Sequence, residues 1–187
     1  MRQTLFDLEE GIRQCTACPL WKSRLLAVPG QGIGAAKIMV IGEAPGIEED
    51  RSGLPFIGRS GQFLEKELAK IGISRNNLYI TNSVKCHPPQ NRLPHSKEIH
   101  TCHDLWLEKQ IEILKPSLII LLGKAAVFSL LGKSEVGKIH GKIIKKDKLT
   151  FFVMYHPSAA LRFDKTREIF REDIQKLEKI VKQQKLL

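Results

Sequence analysis

The sequence predicts an α/β protein, a parallel β-sheet with helices packed on both faces. Short apolar runs closed by glycine or proline alternate along the chain with stretches of helical periodicity. One run, SLIILL at residues 117–122, is apolar almost throughout, as a central strand covered on both sides must be. The unusual loops follow strands, and the carboxyl ends of parallel strands share the sheet edge where such folds bind ligands. With 187 residues and no repeat, low-complexity segment or linker, a single domain spanning 1–187 is expected.

Taken in order, Leu5, Leu8 and Ile12 sit at helical spacing and predict a helix over residues 4–14. A glycine-rich connection, PGQGIGAA, then leads to a strand at 37–41, too short for a helix and closed by Gly42. The chain is organised around residues 37–61. There the strand is followed by Gly42, Pro45 and Gly46, by Glu43, Glu48, Glu49 and Asp50, and by a second glycine-spaced turn containing Phe56. Glycines in such a loop let backbone N–H groups approach a ligand. QFLEKELAKIGI reads as an amphipathic helix with Phe63, Leu64, Leu68 and Ile71 on one face, stopped by Gly72.

A second strand is expected over 77–84, running into KCHPPQNR, where two prolines exclude regular structure. A helix from Ser96 through Cys102, Trp106 and Ile111 to Leu114 ends before Pro116. After SLIILL comes a helix from Gly123, then a basic, glycine-punctuated stretch at 133–148 that suits a hairpin. LTFFVMYH is the last strand and ends in HPSAALR. From Asp164 a lysine-rich helix carries Ile169, Phe170, Leu177 and Ile180 as its packing stripe.

Charge narrows the function classes. The formal charge of +10 implies a polyanionic partner, most simply nucleic acid. No apolar run is long enough to span a membrane, and the acidic N-terminal segment lacks a secretion signal, so a cytoplasmic location is expected. The four cysteines, Cys15, Cys18, Cys86 and Cys102, are spaced C-x-x-C and then C-x15-C. In a reducing compartment disulfides are disfavoured. The pattern suits a four-thiolate metal site, an iron–sulfur cluster ahead of zinc because the second pair is widely split, with free structural cysteines third.

GEAPG-x-x-ED, PF-x-G-x-x-G, TN-x-VKC-x-PPQNR and HPS, interleaved in that order with the four cysteines, resemble the family 4 uracil-DNA glycosylases, the iron–sulfur class. The similarity runs from Cys15 to about Arg162. It implies an α/β/α sandwich around a four-stranded parallel sheet, removal of uracil from DNA, and a 4Fe–4S cluster on Cys15, Cys18, Cys86 and Cys102, deciding against zinc. A monomer acting on single- or double-stranded uracil-containing DNA, in contact with the nucleoid, is expected.

The resemblance also assigns roles. Phe56 would stack on a flipped-out base, because a base inside the duplex cannot be reached. Asn82 would accept from uracil N3–H and donate to O4, the reverse of what cytosine offers. Glu49, with help from Asn91, would exclude the thymine methyl. His156 would donate to uracil O2 as the glycosidic bond breaks, a task suited to a neutral imidazole. Ala44 stands where better-known uracil glycosylases carry a water-activating Asp, so Glu43, then Asp50, become the candidates for holding the water. Lys85, Arg92, Lys138, Lys142 and Arg162 are expected phosphate contacts, with Ser158 to Arg162 pressing on the minor groove and Leu161 as a wedge. His87, His95, His100, His103 and His140 receive no chemistry. The rival readings are a fold relative that captures uracil DNA covalently, a non-enzymatic iron–sulfur DNA-binding protein, and an inactive polymerase-associated domain.

Overall fold

The computed structural model describes residues 4–133 and 135–187. The first three residues, and residue 134 within the basic stretch, lie outside it. The chain opens with helix α1 (Leu5–Gln14), capped by Thr4, whose side chain accepts from the Asp7 N–H while the Asp7 carboxylate accepts from the Thr4 N–H. Strands β1 (Gln31–Gly32), β2 (Ile38–Gly42), β3 (Leu78–Asn82), β4 (Leu118–Leu122), β5 (Ile143–Lys146) and β6 (Leu149–Met154) form one sheet in the order β1-β3-β2-β4-β6-β5. The expected four parallel strands are its middle four. The sheet itself has six, because β1 and β5 add antiparallel edges. β5 exposes Lys145 and Lys146 beside the half-buried Ile144, which discourages pairing with another chain.

Alternation along the strands divides the core. Ile38, Val40, Ile80, Ile120 and Phe152 face Leu64 and Leu68 of α3 (Arg59–Ala69) and Phe170, Ile174 and Leu177 of α9 (Asp164–Gln183). Met39, Ile41, Tyr79, Leu121 and Val153 face the other way, against Ile111 and Leu114 of α5 (Glu108–Leu114) and Val127 of α6 (Lys124–Leu131). All five residues of each of β2, β3 and β4 are buried, so the run SLIILL reads continuously apolar because both its faces are covered.

The segment expected as one helix from Ser96 to Leu114 is broken. A helix α4 (Ser96–Cys102) passes into a wide π-type turn over His103–Leu107 before α5 begins. One looser turn re-phases the helix, leaving Cys102 buried toward the other cysteines and Leu107 buried against the sheet. The basic stretch contains a short helix, α7 (Val136–Ile139), and the β5–β6 hairpin turning at Asp147. Among the described residues no helix is long and apolar enough to cross a membrane.

The parallel register sets Gly42 beside Asn82 and Leu122 beside Met154, so four strand ends open at one edge. Gly61, in the first turns of α3, lies against the backbone of Phe56 with no room for a side chain. Gly61→Ala should cost about 1–3 kcal/mol through overpacking. Urea unfolding would read this, and a midpoint equal to wild type would contradict the packing.

Candidate active site

The loop after β2, the end of β3 with the loop that follows it, and the residue after Tyr155 surround a cleft of about 360 Å³. It is lined by Glu43, Ala44, Glu49, Phe56, Asn82, Asn91 and His156 among others. The three chain-distant loops that carry Phe56, Asn82 and His156 therefore meet in one place.

Phe56 adopts a left-handed backbone, φ 54°, and is buried. Arg75 holds that turn by donating to the carbonyls of Pro55 at 2.5 Å and Phe56 at 3.3 Å. The Phe56 ring lies 6.0 Å from the His156 ring at a 37° tilt, forming an aromatic corner of the cleft. Gly42 underlies it: a side chain there would overlap the Phe56 ring and the Asn82 amide. Glu49 ties the floor together, its carboxylate accepting N–H bonds from Gly46 at 3.0 Å, Ile57 at 2.9 Å and Gly58 at 2.8 Å. A carboxylate so anchored has a fixed position at the cleft wall.

Asn82 is 1% exposed, and its Oδ1 has no hydrogen-bond partner among the described residues. Leaving such an acceptor unmet costs about 1–3 kcal/mol, and the residue that carries it lines the cleft. Asn91 sits on the opposite loop, where its Oδ1 lies 3.0 Å from His87 Nε2. The amide oxygen can only accept, so that nitrogen carries a proton. His87, given no chemistry from sequence, thus orients a cleft residue.

His156 caps α8 (Pro157–Arg162). Its Nδ1 accepts the Ser158 N–H at 3.2 Å and lies 2.7 Å from the Ser158 hydroxyl. A nitrogen that accepts carries no proton, so the neutral ring bears its hydrogen on Nε2. Burial lowers its pKa from 6.5, outweighing the opposite pull of Glu43 and Glu49. Glu43 is fixed by the Ala125 N–H at 3.2 Å, at the start of α6. Gly123, φ 90°, makes room for both groups: a Cβ there would lie 2.6 Å from the Glu43 carboxylate and 2.9 Å from His156 Cβ.

Two expectations are corrected, those for Asp50 and Lys85, and the other cations are placed as follows. Asp50 faces away from the cleft, and both its oxygens accept the Leu25 N–H at 3.1 Å, pinning the N-terminal segment. Lys85 is 2% exposed and cannot reach a phosphate. Its ammonium donates to Thr81 Oγ1 at 2.6 Å, the Asn82 carbonyl at 2.8 Å and Gln110 Oε1 at 2.6 Å. Arg92 lines the cleft, but its two terminal nitrogens grip Glu98 at 2.9 and 2.7 Å, and the same grip holds the Glu98 carboxyl below its usual pKa. Lys138 pairs with Glu135 at 2.8 Å, and Lys142 donates to the Lys138 carbonyl. Ser158 and Arg162 do reach the cleft, and Leu161 lines the groove beside it. Sequence reading gave Gly42 and Gly123 no role in making room for the cleft side chains and passed over Arg75. The two glycines could have been found from their place at strand ends, whereas Arg75 carries no such signal.

The four cysteines line a second, small apolar cavity with Ile12, Leu20 and Trp106. Trp106 donates to Cys15 Sγ at 3.2 Å and Arg24 to Cys86 Sγ at 3.0 Å. Burial raises the thiols of Cys18 and Cys86, and that of Cys102 to about 12. Among the described residues no three His, Cys, Asp or Glu side chains cluster tightly enough for a single metal ion. Four sulfurs spread round a dry cavity, with N–H donors aimed at two of them, fit a polynuclear iron–sulfur group.

Residues 29–178 match the family model described as the uracil DNA glycosylase superfamily, a span that includes every cleft residue named above. The chain belongs to this superfamily. Within it the chain groups with the type-4 enzymes. It is 42% identical over 180 residues to a type-4 uracil-DNA glycosylase of Saccharolobus solfataricus, covering 91% of this chain and 83% of the relative. A type-4 uracil-DNA glycosylase of Sulfurisphaera tokodaii is 39% identical over 187 residues, covering 95% and 84%. For that of Thermotoga maritima the identity is 40% over 193 residues, with 98% of each chain covered.

In this glycosylase-family cleft the neutrality of His156 is directly measurable. Its ring protons, followed by NMR, should titrate with a midpoint below 6.5. A lowered folded pKa also means the unfolded chain takes up the proton first. The stability from keeping the ring neutral is therefore full above pH 6.5 and is lost as pH falls from there through the folded pKa. A midpoint at or above 6.5 would remove the desolvated neutral ring from the site.

Proposed function

We propose that the protein is a uracil-DNA glycosylase, hydrolysing the N-glycosidic bond of an extruded deoxyuridine to release uracil and leave an abasic site. The observation that carries this reading is the unpartnered Asn82 Oδ1 in a cleft that also holds Phe56 and His156. A buried acceptor beside an aromatic ring suits a planar base with an imide N–H. Uracil N3–H meets Asn82 Oδ1, while cytosine would set an acceptor against it and leave both groups unmet. Mismatches of that kind discriminate by about 10⁴-fold or more.

Bond cleavage moves negative charge onto the base and positive charge onto the sugar. The His156 Nε2–H, its tautomer set by Ser158, donates to uracil O2 and strengthens as the charge develops. Glu43, held by the Ala125 N–H, stands on the same side to orient water and face the cationic sugar. Asp50 takes no part, being committed to Leu25. Glu49, locked by three N–H groups, presents a rigid wall near C5 of the base, with Asn91 beside it.

Cys15, Cys18, Cys86 and Cys102 would hold a 4Fe–4S cluster, which supplies a covalent clasp between the N-terminal segment and the loop after β3. A cytoplasmic location in contact with the nucleoid, and a monomer acting on single- or double-stranded DNA, belong to the same reading.

Uracil-containing oligonucleotides, incubated with the protein and treated with alkali, test the reading: free uracil and strand breaks are expected. An SDS-resistant adduct would instead mean covalent capture, and neither product a binding protein. His156→Ala should lower kcat/KM by about 10²–10³, the loss typical of one oxyanion donor, and Asn82→Ala should lose most of the activity, each with the fold intact by circular dichroism. Wild-type activity in either variant would strike that residue from the scheme. Cys86→Ser should lose the visible iron–sulfur absorbance and most bound iron, and melt at lower temperature. A wild-type protein free of iron and sulfide would overturn the cluster.

A further inference from the structure

A second groove, of about 500 Å³, opens beside the cleft and shares Glu49, Ser60, Asn91, Ser158 and Arg162 with it. To these it adds Ile47, Glu48, Gly58, Arg59 and Leu161. Its two arginines are what distinguish it. Every other described arginine donates to a carboxylate or carbonyl of the protein. Arg59 and Arg162 alone hold no such acceptor among the described residues; both are exposed, and both line this groove.

The carboxylates nearby are occupied. Glu48 pairs with Arg51 at 3.4 Å, and Glu49 accepts three backbone N–H groups. Arg59 opens α3, whose first N–H groups have no side-chain cap, adding donors to the same wall. Ile47, 46% exposed, and the half-buried Leu161 supply the apolar surface.

We infer that this groove is a second nucleotide subsite. It would take the nucleotide adjoining the extruded uridine on the same strand, its phosphate between Arg59 and Arg162 and its base or sugar against Ile47 and Leu161. The inference rests on the uracil reading of the cleft, because continuity with that cleft is what makes the occupant a neighbour on the same strand. Planar guanidinium groups match phosphate bidentately, and a pair without protein partners reaches the ligand without first breaking an ion pair. The site explains how a single strand is held in register while one base is turned inward, since phosphate contacts position the strand and carry no sequence information.

The test is the salt dependence of binding, by fluorescence anisotropy with a labelled single-stranded uracil oligonucleotide. Arg59→Gln and Arg162→Gln should each weaken binding and flatten the plot of log K against log salt by about 0.7, the increment for one phosphate contact on a single strand. Arg13→Gln, which removes the same charge from α1 far along the chain, should leave the slope unchanged, and all three variants should unfold at the wild-type midpoint. An Arg59→Gln slope equal to that of Arg13→Gln would overturn the subsite. Uracil release, measured in parallel, separates the two readings. An active wild type with an unaltered Arg59→Gln slope removes the subsite alone. An inactive wild type whose slope falls in Arg59→Gln keeps the nucleotide groove and removes the glycosylase.

Discussion

A buried ammonium joins the two centres of this molecule. Lys85 has no water to turn to, so its charge is tolerable only because Thr81, Asn82 and Gln110 surround it with oxygen. Those acceptors are themselves bound onward. Thr81 and Gln110 both donate to the Pro29 carbonyl, Gln110 also donates to the Tyr79 hydroxyl, and Tyr79 donates to Glu9 of α1. One network thus fixes the N-terminal helix, the glycine-rich connection, α5 and the end of β3. Two residues close to Lys85 along the chain are the reason it matters: Asn82 lines the cleft and Cys86 lines the sulfur cavity. A charge here raises the cost of any loosening, because a half-satisfied buried ion is worse than none.

The acidic loop after β2 poses an electrostatic problem for a basic protein whose substrate is a polyanion. The fold answers it with backbone. Glu49 takes three N–H groups, Asp50 one from Leu25, Glu43 one from the start of α6, and Glu48 an arginine. Each carboxylate so bound becomes a positioning device, and its repulsion of phosphate is offset by the dipoles that hold it. The same loop in water, with its glycines free, would present loose negative charge at the mouth of the cleft.

Much of this was legible in the residues. The alternation that sorts Val40 from Met39 onto opposite faces is a property of strands and survives any tertiary context. The convergence of Phe56, Asn82 and His156 follows from parallel topology, since loops at strand carboxyl ends have one edge to share. What stayed hidden was the direction of long or forked side chains. Lys85 and Asp50 sit in motifs whose other residues line the cleft, yet one turns inward to oxygen and the other back to Leu25. A sequence states that a charge exists; burial and partners decide whether it is offered to a ligand. The π-type turn after Cys102 was equally silent, because helical periodicity on each side of it is intact and only the phase between them changes.

The pairing of Glu43 with His156 shows why the neutral ring matters. Both groups flank Gly123, so a protonated His156 would neutralise Glu43 and be neutralised by it. The carboxylate would then face the imidazolium in place of a sugar cation. Desolvation prevents this by favouring the uncharged ring over the attraction of the carboxylate. On the proposed reading the carboxylate would face the sugar, and the N–H of the ring, whose other nitrogen accepts from Ser158, would face the base. The site's polarity before the reaction would then match the charge separation at the transition state, which is where binding energy lowers the barrier.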